Sequence, residues 1–224
     1  MKIIKKSTPK DYIATLSKEV YEGKIIVVNS QTEMTKALLY LNTQQVIGID
    51  TETKPAFQKG ITHKVSLLQI ATSEVCFLFR LNQIKNPRPL LTFLENENIK
   101  KIGLSLKDDI AALQKIAAFT PRNFIELQTL VKQLGTQDMS LQKIYANLFE
   151  KKISKSARLS NWEIDILTPT QKQYAALDAF ACLKIYHEVT ILLTTGVYQI
   201  VNTQNEMPSA WKAYNYLKEK PKVS

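Results

Sequence analysis

The stretch "VIGIDTET", residues 46–53, ends an apolar, β-branched run with two carboxylates, Asp50 and Glu52. Because alternate side chains of a strand point to the same face, these two converge, while the intervening threonines point the other way. Close carboxylates repel each other and are costly to bury unpaired, so a positive group is expected nearby. The strand contains no Arg or Lys, and Lys54 follows it directly. The stretch alone leaves open whether the positive group is an arginine, a lysine or a metal ion, and a pair that is solvated by water or bridged by Lys54 is the alternative to a functional site.

The order of the apolar patterns predicts a mixed sheet covered by helices. Short β-branched runs come first, and strands and helices alternate later. The first helix has the Ser30–Glu33 spacing of a capping box, and the longest has Pro169 in its first turn and Gly196 at its end. Strands are predicted at residues 24–29, 45–52, 63–72, 74–79, 99–106 and 123–127. Helices are predicted at 30–41, 87–96, 108–119, 128–135, 140–149, 167–196 and 206–224, with a basic loop at 150–165.

The composition indicates a globular chain with an excess of positive charge. It has 224 residues, 45% of them hydrophobic, and a formal net charge of +10. Such a charge favours polyanionic partners such as nucleic acid, with a merely solvated basic surface as the alternative. Cys76 and Cys182 lie in apolar surroundings, so we expect buried thiols in a reducing compartment. The first residues lack a signal-peptide pattern and no apolar run reaches membrane-spanning length, so a soluble cytoplasmic protein is expected.

The long helix carries an acidic residue in an apolar surrounding. In "QYAALDAF", residues 173–180, Tyr174 and Asp178 are four positions apart and share one helix face. The alanines around them would let this helix approach a sheet closely. An Asp inside an Ala-rich helix is unfavourable for helix formation, so a functional role is expected. The alternative is surface pairing of Asp178 with Lys172 or Lys184, which would leave its apolar neighbours exposed.

A third acidic element follows a strand in "KKIGLSLKDDIAAL", residues 100–113. Acidic residues in the first turn of a helix cap it and complement its dipole, and one is sufficient for that role. Asp109 lies four residues before Leu113, so it shares a helix face with an inward-pointing residue. We therefore expect Asp109 to face a site and Asp108 to be the outward cap, with Asp108 as the alternative site residue.

These stretches, together with "LSNWEIDILTPTQKQYAALDAFACLKIY" at 159–186, resemble the three motifs of the DEDDy 3′–5′ exonuclease family, a DnaQ-like group of the RNase H-like superfamily. The pattern is most similar to the exonuclease domain of the Werner syndrome protein and to RNase D. The resemblance covers about residues 25–190. It implies an α/β fold with an RNase H-like mixed sheet of five or six strands and helices on both faces. The residues that match the family's catalytic positions are Asp50, Glu52, Asp109, Tyr174 and Asp178.

The resemblance also implies an organisation and an activity. We expect an N-terminal extension at 1–24, an exonuclease domain at 25–195, and a C-terminal helical extension with a basic tail at 196–224. The implied activity is metal-dependent hydrolysis of phosphodiester bonds from the 3′ end, with release of nucleoside 5′-monophosphates. Similarity to the Werner domain slightly favours DNA, single-stranded or 3′-recessed, and similarity to RNase D keeps RNA open. The alternative is a nucleic-acid-binding module of the same fold with little or no catalytic activity.

The four carboxylates form an all-oxygen donor set that suits two divalent ions, Mg²⁺ or Mn²⁺, rather than zinc. In the two-metal arrangement that the resemblance implies, Asp50 would bridge both ions. Glu52 and Asp178 would hold one ion, and Asp109 would hold the other. Tyr174 would orient the attacking water, because a phenol with an ordinary pKa of about 10 is a poor base at neutral pH.

The loop before the long helix supplies candidate substrate contacts. Lys155 and Arg158 lie where they could meet a phosphate, and a solvated basic loop is nearly as good an interpretation. Trp162 is expected in the core rather than stacked on a base. His63 is interpreted as a polar strand end, and His187 as a structural residue.

Overall fold

The structure, a computed structural model, describes residues 1–58 and 60–202. Strands β1 to β8 lie at Lys2–Lys5, Lys24–Val28, Val46–Thr53, Val65–Ala71, Val75–Arg80, Lys100–Gly103, Phe124–Glu126 and Tyr198–Val201. Helices α1 to α7 lie at Lys10–Thr15, Gln31–Leu41, Arg88–Leu94, Leu106–Gln114, Leu127–Lys132, Leu141–Phe149 and Pro169–Thr195. None of these helices has the length and apolarity needed to cross a membrane.

Six strands form a central mixed sheet in the order β2-β5-β4-β3-β6-β7. The pairs β3/β4 and β4/β5 are antiparallel, and each joins two strands that are consecutive in the chain. The pairs β2/β5, β3/β6 and β6/β7 are parallel, and their connections contain helices. This topology confirms the predicted mixed sheet and places β3, with Asp50 and Glu52, between two neighbours inside the sheet.

Helices cover both faces of the sheet, as predicted. α5, α6 and α7 pack on one face, and α2, α3 and α4 pack on the other, each around its own apolar core. α2 begins at the expected capping box of Ser30, and α7 begins at a second capping box formed by Thr168 and Gln171. α7 runs for 27 residues and ends at Gly196, whose φ of 65° suits glycine. Local sequence signals therefore fix both ends of the helix that carries Tyr174 and Asp178.

Several smaller expectations are settled by burial and by helix bounds. Trp162 is 0% exposed, which confirms its place in the core. Cys76 and Cys182 are buried free thiols, also as expected. The helix predicted at 128–135 ends earlier, at Lys132, because the chain tightens into a turn before Gly135.

A second, two-stranded sheet joins β1 to β8, and the sequence patterns did not predict it. The two strands pair in parallel over four residue pairs. Beside them, the buried Asp138 carboxylate accepts hydrogen bonds from the backbone and side chain of Thr8 and from the Asn147 amide. These contacts tie the first residues to the region inside the predicted exonuclease domain. The helix predicted at 206–224 lies outside the described residues.

Candidate active site

β3 and α7 bring three carboxylates together. Asp50 and Glu52 lie on the sheet face that α7 covers, as does Gly48 at the start of the same alternation. A Cβ at Gly48 would lie 2.0 Å from the Ala179 carbonyl oxygen, so glycine permits the close approach of α7 to β3. Asp178 directly precedes Ala179 in the chain, so this close packing of α7 places Asp178 beside β3. One carboxylate oxygen from each of Asp50, Glu52 and Asp178 lies within 4.8 Å of the others.

This cluster has the features of a cation site. Asp178 is 7% exposed, and its Oδ1 has no hydrogen-bond partner among the described residues. Lys54 pairs with Glu163 at 3.2 Å, and Lys184 pairs with Glu19 at 3.4 Å, so neither of these pairs involves the cluster. Carboxylate oxygens that converge with one oxygen unpartnered suit Mg²⁺ or Mn²⁺. The donor set therefore fits the metal that the sequence predicts.

Asp109, the fourth predicted ligand, comes from α4 on the opposite face of the sheet. It lies outside the group of three, and its carboxylate accepts a hydrogen bond from the Thr51 hydroxyl. Burial and Asp178 raise the pKa of both Asp50 and Glu52, and Asp109 adds to the rise in each. Asp109 therefore lies near the cluster, at its edge. Asp108, the alternative, is exposed.

The N-terminus of α4 is capped differently from the prediction. Glu126, at the end of β7, accepts hydrogen bonds from the backbone N–H groups of Ser105 and Leu106, at 3.0 and 2.9 Å. The expectation that Asp108 is the cap is therefore wrong, because a carboxylate from the neighbouring strand satisfies the first N–H groups. Ser105 has a left-handed φ of 62°, which turns the chain from β6 into α4. That turn brings Asp109 to the edge of the site.

Burial raises the pKa of every carboxyl at this site. The pKa of Asp50 is held well above its ordinary value by burial, and then by Asp178, Asp109 and Glu52. Burial, with Asp178 and Asp109, raises the pKa of Glu52 to about 8. Burial raises the pKa of Asp178 to about 7 although the Tyr174 hydrogen bond and Lys155 lower it, and burial raises the pKa of Asp109 to about 6 although the Thr51 hydrogen bond lowers it. Without a cation, part of the cluster therefore carries protons at neutral pH.

Tyr174 lies one helical turn before Asp178, with its hydroxyl near that carboxylate. Burial raises the pKa of Tyr174 well above its ordinary value, and the charges of Asp178 and Glu52 raise it further. The ring centroid of the buried Trp162 is 6.1 Å from that of Tyr174. Tyr174 is therefore a neutral hydrogen-bonding group that packing holds at the edge of the cluster.

A cavity of about 540 Å³ opens beside Tyr174 and Asp178, and Lys155 and Arg158 line it. Burial raises the pKa of Glu52, and Arg158 opposes that rise. Burial likewise raises the pKa of Asp178, and Lys155 opposes it after the contact with Tyr174. Both basic side chains are exposed, so they combine access from solvent with a charge that acts on the carboxylates.

Neither histidine belongs to the three-carboxylate group. His63 Nδ1 is 3.7 Å from the carboxylate of Glu163, which also pairs with Lys54. These contacts connect the loop after β3 to the segment before α7. His187 is exposed on α7.

Arg80 is a site-supporting residue that the sequence analysis missed. It closes β5, is 1% exposed, and donates hydrogen bonds to the backbone carbonyl oxygens of Ile164 and Asp165. These bonds fasten the segment before α7 to the sheet. The signal in the sequence was a charged residue at the end of the apolar run "VCFLFR", residues 75–80.

Comparison with known proteins places the site in a family context. A family model described as 3′–5′ exonuclease matches residues 25–193. The bifunctional 3′–5′ exonuclease/ATP-dependent helicase WRN of Mus musculus is 31% identical over 179 residues, which cover 77% of this chain and 13% of that protein. A 3′–5′ exonuclease of Arabidopsis thaliana is 28% identical over 182 residues, which cover 74% of this chain and 63% of that protein. The chain therefore spans less than two thirds of the length of these relatives.

Solved structures share the fold. The Aedes aegypti Nibbler EXO domain matches with a TM-score of 0.73 and 24% identity, over 82% of this chain and 94% of that chain. Escherichia coli RNase D matches with a TM-score of 0.69 and 18% identity, over 87% of this chain and 50% of that chain. These similarities confirm the RNase H-like α/β fold that the motifs predict.

Proposed function

This chain belongs to the 3′–5′ exonuclease family, and we propose that it hydrolyses phosphodiester bonds from the 3′ end of a nucleic acid, releasing nucleoside 5′-monophosphates. The observation that carries the proposal is the convergence within 4.8 Å of Asp50 and Glu52, at the half-buried end of β3, with the buried Asp178 of α7. Like charges at this distance are unfavourable without a cation. A site that attracts divalent ions and lies beside basic side chains suits a phosphate-containing substrate.

We further propose that Mg²⁺ or Mn²⁺ occupies the site. Asp50, Glu52 and Asp178 would hold one ion, and Asp50 with Asp109 would hold a second. Bound divalent ions supply charge neutralisation of the phosphate and lower the pKa of a coordinated water. The unpartnered Asp178 oxygen supports this assignment.

The side chains around the carboxylates would position the reacting groups. Tyr174 would orient the attacking water through its hydroxyl, because its raised pKa keeps it neutral. Lys155 and Arg158, on the wall of the adjacent cavity, would bind substrate phosphates, and such contacts do not depend on the base sequence. Tyr174, Lys155 and Arg158 line the same cavity, so water orientation and phosphate binding would lie next to each other at the cluster.

The proposal is tested with 5′-labelled and 3′-labelled single strands in the presence of Mg²⁺, Mn²⁺ or EDTA. We expect a metal-dependent ladder from the 5′ label and a mononucleotide from the 3′ label. Asp50→Asn should lower the rate by at least about 10²- to 10³-fold, because it removes a charge that acts on the reacting centre. Asp108→Asn, at an exposed carboxylate, should stay near the wild-type rate. Tight binding with no degradation under any metal would instead support a binding module, and full activity of Asp50→Asn would overturn the proposed site.

We propose DNA, single-stranded or 3′-recessed, as the first substrate class to examine, and RNA as the comparison. The DNA assignment follows the Werner-like motif pattern. The solved E. coli relative is described as an exoribonuclease involved in structured RNA processing, which supports including RNA. DNA and RNA of matched sequence, compared by kcat/KM in the same assay, decide between the two.

Lys155 and Arg158 predict a salt-dependent interaction with substrate. Lys155→Ala should weaken single-strand binding and reduce the slope of log K against log salt concentration by about 0.7, the contribution of one phosphate contact. Lys151→Ala changes an exposed lysine of the same segment and serves as the matched control. Binding isotherms on the Asp50→Asn background, in which degradation of the strand should be slow, measure both slopes. Equal slopes for the two lysine variants would contradict a specific phosphate contact at Lys155.

A further inference from the structure

β4 carries a polar side chain in an unusual position. All seven residues of this strand are buried, and Gln69 is 0% exposed. Neither the amide nitrogen nor the amide oxygen of Gln69 has a hydrogen-bond partner within residues 1–58 and 60–202. A buried amide without partners is destabilising, and an apolar side chain of the same shape would avoid that penalty. The position therefore calls for a role other than packing.

The register of the sheet places Gln69 beside the carboxylate cluster. Its partner on β3 is Asp50, and its partner on β5 is Leu78. Leu67 and Ala71, which alternate with Gln69 along β4, belong to the core under α7. Gln69 therefore shares with Asp50 the sheet face that α7 covers.

The register of the two strands allows a contact between these two side chains. Directly opposed residues of an antiparallel pair have Cβ atoms about 4.5–5.5 Å apart. A Gln side chain spans that gap to a facing carboxylate. On the other side of Gln69, Leu78 offers no polar atom in its side chain. Asp50 is thus the polar neighbour that the register supplies.

We propose that Gln69 is a positioning residue for Asp50, and that its amide N–H donates a hydrogen bond to an Asp50 carboxylate oxygen when a divalent ion is bound. The inference rests on the proposed function, because it assigns Asp50 to the metal. A donor behind a ligating carboxylate fixes its orientation, and loss of such a partner typically weakens metal binding about 10- to 100-fold. The amide oxygen then remains available to an ordered water.

The test replaces Gln69 by an apolar residue of similar length and measures metal binding directly. Gln69→Met should raise the Mn²⁺ dissociation constant about 10-fold or more. The thermal stability of its metal-free form should stay equal to or exceed that of the wild type, because no amide is left unpartnered. Leu78→Met, on the other side of Gln69 in the same row, is the matched control and should keep wild-type Mn²⁺ affinity. Mn²⁺ titration followed by electron paramagnetic resonance supplies the constants without reference to activity.

A second measurement does not depend on a variant that folds. In ¹⁵N-labelled wild-type protein, Mg²⁺ should shift the side-chain amide resonances of Gln69 as the hydrogen bond forms. Equal Mn²⁺ affinity of Gln69→Met and wild type, or Gln69 resonances that stay in place while Mg²⁺ binds, would overturn the inference. Wild-type protein that neither binds the ions nor hydrolyses nucleic acid would overturn the proposed function itself, which is a distinguishable result.

Discussion

The converging carboxylates of the candidate site lower the stability of the folded protein and provide oxygen ligands for a cation. Apolar residues in place of Asp50, Glu52 and Asp178 would be easier to accommodate between β3 and α7. Burial instead keeps the pKa values of these carboxyls high, with Glu52 at about 8 and Asp178 at about 7. Sites that concentrate like charges in this way lower the stability of the free protein and increase its affinity for a cation. The proposed metal binding and the folding of the chain are therefore coupled through these three carboxylates.

Tyr174→Phe tests the role of the hydroxyl beside Asp178. Because a hydrogen bond that involves a charged group contributes about 1.5–3 kcal/mol, we expect kcat to fall about 10- to 100-fold. The Mn²⁺ dissociation constant should change less than about threefold, since every carboxylate ligand remains. The shape of the pH–rate profile should also persist, because a neutral phenol does not titrate in the measured range. Tyr186→Phe, on the same helix next to Lys100, is the control, and an equal fall in kcat there would contradict a specific role.

At the scale of the elements, α4 depends on a carboxylate from another strand. Glu126 accepts hydrogen bonds from the N–H groups of Ser105, Leu106 and Gln128, so it serves the starts of both α4 and α5. Glu126→Ala should lower the free energy of unfolding by about 1–2 kcal/mol, the usual range for loss of a helix cap. Asp108→Ala, in the first turn of α4, should stay within about 0.5 kcal/mol. Urea denaturation of the two variants measures the difference, and the reverse order would restore Asp108 as the cap.

The same element shows which features can be predicted from the sequence. The ends of α2 and α7 were predictable because their caps lie within three residues of the helix, as for Ser30 with Glu33 and Thr168 with Gln171. The motif carboxylates were predictable because their spacing matches strand and helix periods. The Glu126 cap comes from 20 residues beyond Leu106 in the chain. No local pattern predicts such a contact, since it depends on which strands become neighbours.

Contacts across the sheet were missed for the same reason. In the sequence, Gln69 is a single polar residue in an apolar strand. Only the strand register shows that it lies opposite Asp50. Arg80 donates to carbonyl groups more than 80 residues away along the chain, at Ile164 and Asp165. Both residues carried a visible signal, a polar group within an apolar run. The residue that each of these polar groups faces or contacts can be identified only from the folded structure.

At the scale of the whole molecule, the first residues support the region that contains the proposed substrate contacts. The backbone N–H of Glu19 donates to the Lys152 carbonyl, and the Lys152 N–H donates to Ser17, both at 2.9 Å. Lys155 follows three residues later on the same segment. The family match begins at residue 25, so these supporting contacts come from outside it. The division predicted at residues 24 and 25 therefore separates segments that hydrogen bonds join.

The net charge of the molecule and the local charge at the candidate site have opposite signs. The chain as a whole has a formal net charge of +10, whereas Asp50, Glu52 and Asp178 concentrate negative charge at one point. A basic exterior attracts a polyanion over long distances, and the attraction weakens as salt increases. A local acidic cluster then requires a cation before a phosphate can approach. The two charge patterns are thus compatible with one substrate.

The last prediction concerns the stability of the whole chain as a function of pH and metal. Glu52, Asp178 and Asp109 have pKa values raised by burial to about 8, 7 and 6. Between about pH 4 and pH 8 the folded state therefore holds more protons than the unfolded state, so the metal-free chain should lose stability as pH rises through this window.

Divalent ions compete with these protons, and Mn²⁺ at about 100 times its dissociation constant should contribute about 2.7 kcal/mol, or about 5–10 °C in Tm. Thermal denaturation with EDTA or Mn²⁺ should give a larger metal-induced rise in Tm at about pH 8 than at about pH 5.5, and Asp50→Asn should remove most of that rise. The range stops at about pH 8 because further buried groups titrate above it: burial lowers the pKa of Lys101 to about 8 and raises the pKa of the Cys76 and Cys182 thiols above its ordinary value, with opposite effects on stability. An equal rise in Tm at both pH values would show that these carboxyls do not release protons when the metal binds.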